Sequence, residues 1–414
     1  MNSGTRLYSF LILFWFSISH NVFTSTETER FQVTPVSLDL RHQMKLANFY
    51  QKRVAIGNFS VLGSKNVSDF ALKEAAYLIS QMTSIHPEYL QKLTENKVRF
   101  SVMARDEFTT DIPEHADLSP AIFWDKRARG LGATPARPSV SCGEENLLGI
   151  EGDPYNSENI LIHEFAHALH AMAINDLDSS FNSRLEKCFE LAVKEKIWFG
   201  TYAESNPAEY WAEGVQSWYD CNRANDREHG KIDSREDLIR SDPRLAKLIQ
   251  EKLGEQNWRY VHISKRVLNE QHLKGFNSQD EQPFAWPKEL IEWHEKFAKG
   301  EVSLAPANAK KINPLPDSKN LKSTYSRKRC KFFIHNLSGD DIKIHWVDFE
   351  GKFVQPRVLR HKDHTMIHSF VDHCWHNQDD VVPIASLPEA ADGLQKAGFQ
   401  DVFAHVQKGT AHGI

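Results

Sequence analysis

The chain has 414 residues, 41% of them hydrophobic, with 50 Lys and Arg against 55 Asp and Glu. That length exceeds one compact core and predicts two domains, or one large domain with an appendage. A net charge of -5 offers no basic field, so neither nucleic acid nor an anionic membrane is expected as a partner.

Residues 1–25 read as a secretory signal. Arg6 supplies the positive end, and Leu7 to Ile18 forms an apolar run too short to span a bilayer comfortably. An uncleaved N-terminal anchor is the alternative. No later segment is apolar enough to span, so the predicted location is secreted and extracellular, without a stable membrane span. Acceptor sequons at Asn58-Phe59-Ser60, Asn66-Val67-Ser68 and Asn336-Leu337-Ser338 fit secretion as a glycoprotein. Five cysteines, Cys142, Cys188, Cys221, Cys330 and Cys374, leave at least one unpaired, and their pairing stays open. No CxxC pair exists, which disfavours a cysteine zinc site.

In chain order, helical periodicity covers Leu40 to Val54 and Ser68 to Met82, and alternation over Val98 to Met103 predicts a strand. Pro113 to Gly152 is rich in loop signals. Within it, Lys126-Arg127-Ala128-Arg129 reads as a basic surface loop, with a processing site as the alternative. A helix follows at Asn159 to His170, capped from Asn156 or Ser157. Asn206-Pro207, Asp242-Pro243 and Trp286-Pro287 open three more, the last stopping at Gly300. Residues 301–325, rich in Pro, Asn, Lys and Ser, read as a linker. Short strands follow at Lys331–His335, Ile342–Val347 and Thr365–Phe370, and residues 386–414 as a tail with a short helix. The predicted fold is α+β: a mainly helical domain over 30–300, the linker, and a small β-sandwich module over 326–385.

Chemistry concentrates in the helix from Asn159. His163 and His167 lie four apart, so both imidazoles share one helical face and can bind one Zn2+ per chain. Glu164 stands beside the first histidine, placed to take a proton from a water that the metal acidifies. A buried helix with ordinarily hydrogen-bonded histidines is the alternative. A catalytic zinc needs a third protein ligand and an open position. His170 is near but would crowd three ligands onto one helix, and it reads as a supporting residue. Glycine at 170 and histidine at 173 would mark a metzincin, whereas this chain has His170 and Ala173. Downstream, Glu209 and Glu213 share a face among Tyr210, Trp211, Val215, Trp218 and Tyr219. One can ligate the metal while the other orients a histidine; Glu209 could instead complete a capping box with Asn206.

Tyr202, six intervening residues, then Glu209-Tyr210-Trp211-Ala212-Glu213 after the HExxH helix resembles the gluzincin metallopeptidases related to anthrax lethal factor. The resemblance implies a zincin-like fold with His163, His167 and Glu209 as zinc ligands. It implies Glu164 as general base, Tyr202 as hydrogen-bond donor to the oxyanion, and Glu213 behind a ligand histidine. It covers about Asn159 to Tyr219. A looser resemblance, to uncharacterised secreted peptidase-like proteins, runs from about Tyr50 to Val261 and includes Val140 to Leu148, a cleft wall or core. The expected activity is hydrolysis of extracellular polypeptides, with Val98–Met103 as the edge strand pairing with substrate.

Residues ~328–378 resemble the β domain of the von Hippel–Lindau tumour suppressor, through Ile344 to Gly351 and Ile367 to Trp375. The resemblance implies a pocket of Trp346, His368, Ser369, His373 and Trp375 that takes a hydroxyproline-containing polypeptide. The family's pocket tyrosine falls at Pro356, which removes a hydroxyl. His361, His364 and His376 read as solvent-exposed imidazoles. The competing functional reading is a non-catalytic secreted binding protein that uses the β module on a peptidase-like scaffold.

Overall fold

The computed structural model describes residues 31–226, 228–304, 310–311, 322–370, 372–377, 383–386 and 401–406. The predicted signal segment, much of the linker and the helix expected beyond Leu387 lie outside the described residues.

The N-terminal part is α+β. Strands β1 (Val33–Pro35), β2 (Lys52–Ile56), β3 (Phe59–Gly63), β4 (Arg99–Met103), β5 (Gly130–Leu131) and β6 (Ser139–Gly143) form one sheet in the order β1-β2-β3-β4-β6-β5. The helix predicted over Leu40 to Val54 is shorter, α1 (Leu38–Met44), and its end gives way to β2, which pairs with β3 across Gly57 at φ 58°. The β-branched and aromatic run from Arg53 to Leu62 overrides the helical spacing there. β4 lies between β3 and β6, parallel to both, so its backbone groups are already paired. The expectation that Val98–Met103 is a substrate-pairing edge is therefore corrected; the edges are β1 and β5.

Helices cover the sheet: α2 (Asp69–Met82), α3 (Glu88–Glu95), α4 (Ala121–Arg127), α5 (Glu144–Leu148), α6 (Ile160–Leu169), α7 (Phe181–Glu195), α8 (Pro207–Trp218), α9 (Arg235–Ser241), α10 (Pro243–Leu253) and α11 (Lys288–Ala298). Four of these elements, α4, β5, β6 and α5, thus occupy the stretch from Pro113 read as loops. The segment Val140 to Leu148 is core: Val140, Cys142, Leu147 and Leu148 are buried. Asn146 Oδ1 also accepts from Ile160 N at 2.9 Å, fixing the start of α6. Glycine at 214 lets α8 approach α10, since a Cβ there would stand 2.5 Å from Leu245 Cδ2.

Lys126–Arg129 is not a surface loop. Lys126 and Arg127 end α4, Ala128 and Arg129 lead into β5, and Arg129 is buried with its guanidinium on Glu145 at 2.6 Å. Arg127 is exposed.

The C-terminal part is a β-sandwich. One sheet runs β10 (Phe353–Leu359), β9 (Ile342–Val347), β12 (Cys374–Asn377), β13 (Pro383–Ser386); the other runs β11 (His364–Phe370), β8 (Arg329–Asn336), β14 (Asp401–Val406), β7 (Lys310–Lys311). Residues expected to be linker and tail thus supply β7 and β14. Phe332, Ile334, Ile344, Ile367 and Trp375 fill the interior. Alternation turns Phe333 and His335 to the outer face. There they meet Phe123 of α4 and Trp293 and Phe297 of α11. His364 joins this contact, 5.0 Å from the Phe123 ring and 5.2 Å from that of Phe297, and is not a solvent-exposed imidazole.

All five cysteines are free thiols. Asn58 and Asn66 are exposed, whereas Asn336 is buried with its amide donating to Asp340 O and Leu359 O, each at 2.8 Å. That sequon is closed to glycosylation in the folded chain. Among the described residues, no helix is long and apolar enough to cross a membrane.

Candidate metal centre

α6 begins one turn later than its predicted caps, because Asn159 itself is the cap: its Oδ1 accepts from Ile162 N at 3.0 Å. Ten residues of unbroken helix then carry His163 and His167 on one face. α8 starts at Asn206, whose Oδ1 accepts from Ala208 N at 2.9 Å and Glu209 N at 3.1 Å. The Glu209 side chain does not close a capping box. It crosses to α6.

His163 Nε2, His167 Nε2 and Glu209 Oε2 form a triangle with every side 3.2 Å. Donors at about 2.0 Å from a shared tetrahedral centre lie roughly 3.3 Å apart, so this set matches zinc in size as well as chemistry. It is the group of three among the described residues that could hold a metal ion. The side chains of His163, His167 and Glu209 are 10%, 16% and 17% exposed, so the triangle is mostly buried but not sealed from solvent.

Charge is already organised there. Burial works to raise the Glu209 carboxyl, but the two imidazoles outweigh it and hold the group well below the usual carboxylate range. Burial alone would lower His163, yet Glu209 and the neighbouring carboxylates raise it. Burial raises Glu164, only partly opposed by His163 and His167. A raised carboxyl is the more basic once ionised, which suits proton transfer.

The Tyr202 ring lies 6.5 Å from that of His163 at 27°. Burial first, then Glu209, raises its pKa, so the phenol stays a donor. Glu213 stands 3.6 Å from His163 Nδ1, beyond hydrogen-bond distance, and accepts from Asn222 Nδ2 at 3.0 Å. Gln216 takes the orienting position: its Oε1 is 2.7 Å from His163 Nδ1. Its own Nε2 donates to Glu158 Oε2 at 3.2 Å and Asn159 O at 3.3 Å, which sets the amide so that the oxygen faces the imidazole. His163 Nδ1 therefore carries the proton and Nε2 is free to ligate. Gln216 was missed in the sequence, although 209, 213 and 216 fall at i, i+4 and i+7 on one helix face. His170 bonds Asn182 Oδ1 at 2.7 Å and packs on Phe181 and Trp211, outside the ligand triangle.

Gly130 and Gly132 of the β5 edge were missed as well. A Cβ on Gly130 would stand 3.0 Å from Glu164 Cγ, and one on Gly132 would stand 2.7 Å from His167 Cβ. Two glycines let the edge strand lie against the motif.

Of the five residues expected to form the module's pocket, four are linked: Trp346 stands opposite Trp375 across β9 and β12 and packs on the same cluster, and His368 alone points away. Trp375 and Ser369 are buried inside the sandwich, where Trp375 Nε1 donates to Ser369 Oγ at 3.1 Å. His368 is exposed, pointing opposite to Ser369 along β11. Trp346 and His373 stack at 5.2 Å beside Phe349, which is exposed.

No protein-family model matches the chain, and no curated protein matches it in sequence. Among solved structures, the PRO-PRO endopeptidase PPEP-2 from Paenibacillus alvei is similar at 22% identity, covering 43% of this chain and 90% of that one, with a TM-score of 0.31.

Proposed function

We propose that the chain is a secreted zinc endopeptidase of gluzincin type, acting on extracellular polypeptides. The observation that carries this is the 3.2 Å triangle of two imidazoles and a carboxylate with Glu164 on the turn between the histidines. Zinc bound there supplies Lewis acidity, lowering the pKa of a nearby water and polarising a carbonyl.

The chain's own residues do the rest. His163, His167 and Glu209 hold the ion. Glu164 takes the proton of the attacking water and passes it to the leaving amine. Tyr202 donates to the oxyanion. The main chain of Gly130–Leu131, at the sheet edge and beside Glu164, aligns an extended peptide by strand pairing. The C-terminal module binds polypeptide through the Trp346, Phe349 and His373 surface.

Zinc content and cleavage of a diverse peptide library test the proposal together. One zinc per chain with cleavage is expected. Zinc without cleavage would favour a binding protein on a peptidase-like scaffold, and absence of zinc would leave α6 an ordinary buried helix.

A further inference from the structure

Two rings of the N-terminal part, Phe123 on α4 and Phe297 on α11, are buried where the module meets them. Three imidazoles close around these rings. His294 of α11 stacks on Phe123 at 5.5 Å and 12°, and its Nε2 donates to Phe123 O at 3.1 Å. From the module, His335 of β8 stacks on Phe297 at 4.4 Å and 14°. His364 of β11 stands edge-on to both phenylalanines, with its ring centre 6.4 Å from that of His335. His335 is fully buried, and His294 and His364 are half-buried. Phe333, Trp293, Val302 and Leu304 complete an apolar surround.

The charges that act on the imidazoles from α4 are positive: Lys126 and Arg127 lie one turn beyond Phe123. On α11, Glu292, Glu295 and Lys296 are exposed, and Glu292 faces Lys288 at 3.4 Å. Asp363 leads into β11 beside His364, and its backbone oxygen accepts from Asn336 N at 2.9 Å. An imidazole packed on apolar rings gives up its water, which disfavours the imidazolium. Protonating His335 and His364 together would also set like charges on rings 6.4 Å apart. Burial first, then the neighbouring cations, holds His364 down, to about 3, and burial lowers His294 likewise.

We propose that this contact is an acid-released latch: the module rests on α4 and α11 while the three imidazoles are neutral, and parts from them when the imidazoles take up protons. α4 runs on into β5, and Gly130 of β5 lies against Glu164, so the docked module braces the sheet edge beside the candidate metal centre. Neither zinc nor turnover enters the switch. Once parted, His364 titrates near its ordinary value of about 6.5. Docking is therefore undiminished above about pH 6.5. Below it, docking weakens by up to about 10-fold per pH unit, or roughly 30-fold by about pH 5, for this one group.

The test is hydrogen exchange on the full chain at about pH 7.5 and about pH 5, corrected for intrinsic rates, with small-angle scattering on the same samples. At the lower pH, α4, α11, β8 and β11 are expected to exchange at least about 10-fold faster and the radius of gyration to rise, while α6 and α8 keep their protection. Return to the higher pH should restore both. His364→Phe, which fills the contact with a ring that cannot titrate, should cut the acid-induced gain in exchange by about 10-fold. His335→Phe carries the same comparison if that variant fails to fold. Unchanged exchange over α4 and α11 in acid would overturn the latch. So would loss of protection that extends to α6 and α8, or a gain as large in both variants as in the parent.

Discussion

Gln216→Leu removes an acceptor that no metal contacts, and the structure sets the size of its effect. The leucine keeps most of the volume but leaves His163 Nδ1–H, now 2.7 Å from Gln216 Oε1, without its bond. His163 is 8% exposed, so water does not freely replace the acceptor. Leaving a buried donor unsatisfied costs about 1–3 kcal/mol. Loss of the group that orients a metal-ligating histidine typically costs roughly 10- to 100-fold in metal affinity, or about 1.4–2.8 kcal/mol, and the two figures agree. Glu213 Oε1, at 3.6 Å from the same nitrogen, can close on it and recover part of the loss, which favours the lower end. Glu158 loses the Gln216 amide but keeps Arg223 at 2.8 Å, so the fold should survive. The assay is zinc competition against a chelator of known affinity, with thermal melting as the control. A dissociation constant within about twofold of the parent's, in a protein that melts normally, would refute the claim that Gln216 sets the His163 tautomer.

Other expectations can be checked with the same protein. Glu164→Gln should retain zinc and lose hydrolysis by about 10²- to 10⁴-fold, measured as kcat on a cleaved peptide; activity near the parent's would remove Glu164 as the base. Ending the chain at Leu304 uncovers Phe123 and Phe297, now 4% and 5% exposed. Each buried phenylalanine is worth about 1.5–3 kcal/mol, so zinc content should persist while Tm falls; an unchanged Tm would mean the module does not dock on α4 and α11. Burial holds the His364 imidazole down, to about 3, and Arg127, His335 and His294 push the same way. The unfolded chain takes up a proton near pH 6.5 and the folded chain does not, so stability is full above about pH 6.5 and falls by up to about 1.4 kcal/mol per pH unit below it. Melting from about pH 7.5 to about pH 5 should show that slope, and His364→Phe should flatten it.

What the sequence made legible follows from how local each feature is. Helix starts at Asn206 and Asp242 are written in side chains that bond the next turn, and each begins as predicted, within a residue of its cap. Helical spacing likewise puts His163 and His167 on one face. Sheet order is not local, so Val98–Met103 reads as a strand but not as a central one. Glycines at 130 and 132 sit in a loop-like stretch, and their purpose depends on a helix thirty residues on. His368 drops out of the pocket inferred on the module for a periodic reason: 368 and 369 are adjacent, and adjacent strand residues face opposite ways. His364 reads as polar and exposed until a second domain covers it.

The third donor of the triangle is delivered by packing rather than by motif. Glu209 is 42 residues beyond His167, on a helix whose position owes nothing to the metal. Trp211 Nε1 donates to Ala166 O at 3.0 Å, tying the middle of α8 to α6. Gln216 ties the same helix to Asn159, and Asn159 N donates to Cys221 O at 3.2 Å, closing the pair at the far end. From the other side, Tyr210 donates to Asp242 at 2.5 Å and Gly214 admits Leu245. Every one of these contacts is buried, and interiors at crystal-like density shift in discrete steps rather than yielding smoothly. The 3.2 Å sides of the triangle are therefore a property of the α6–α8 core. Zinc affinity and stability of that core should be coupled, so a substitution such as Gly214→Ala, far from any ligand, acts on the metal through the tilt of α8.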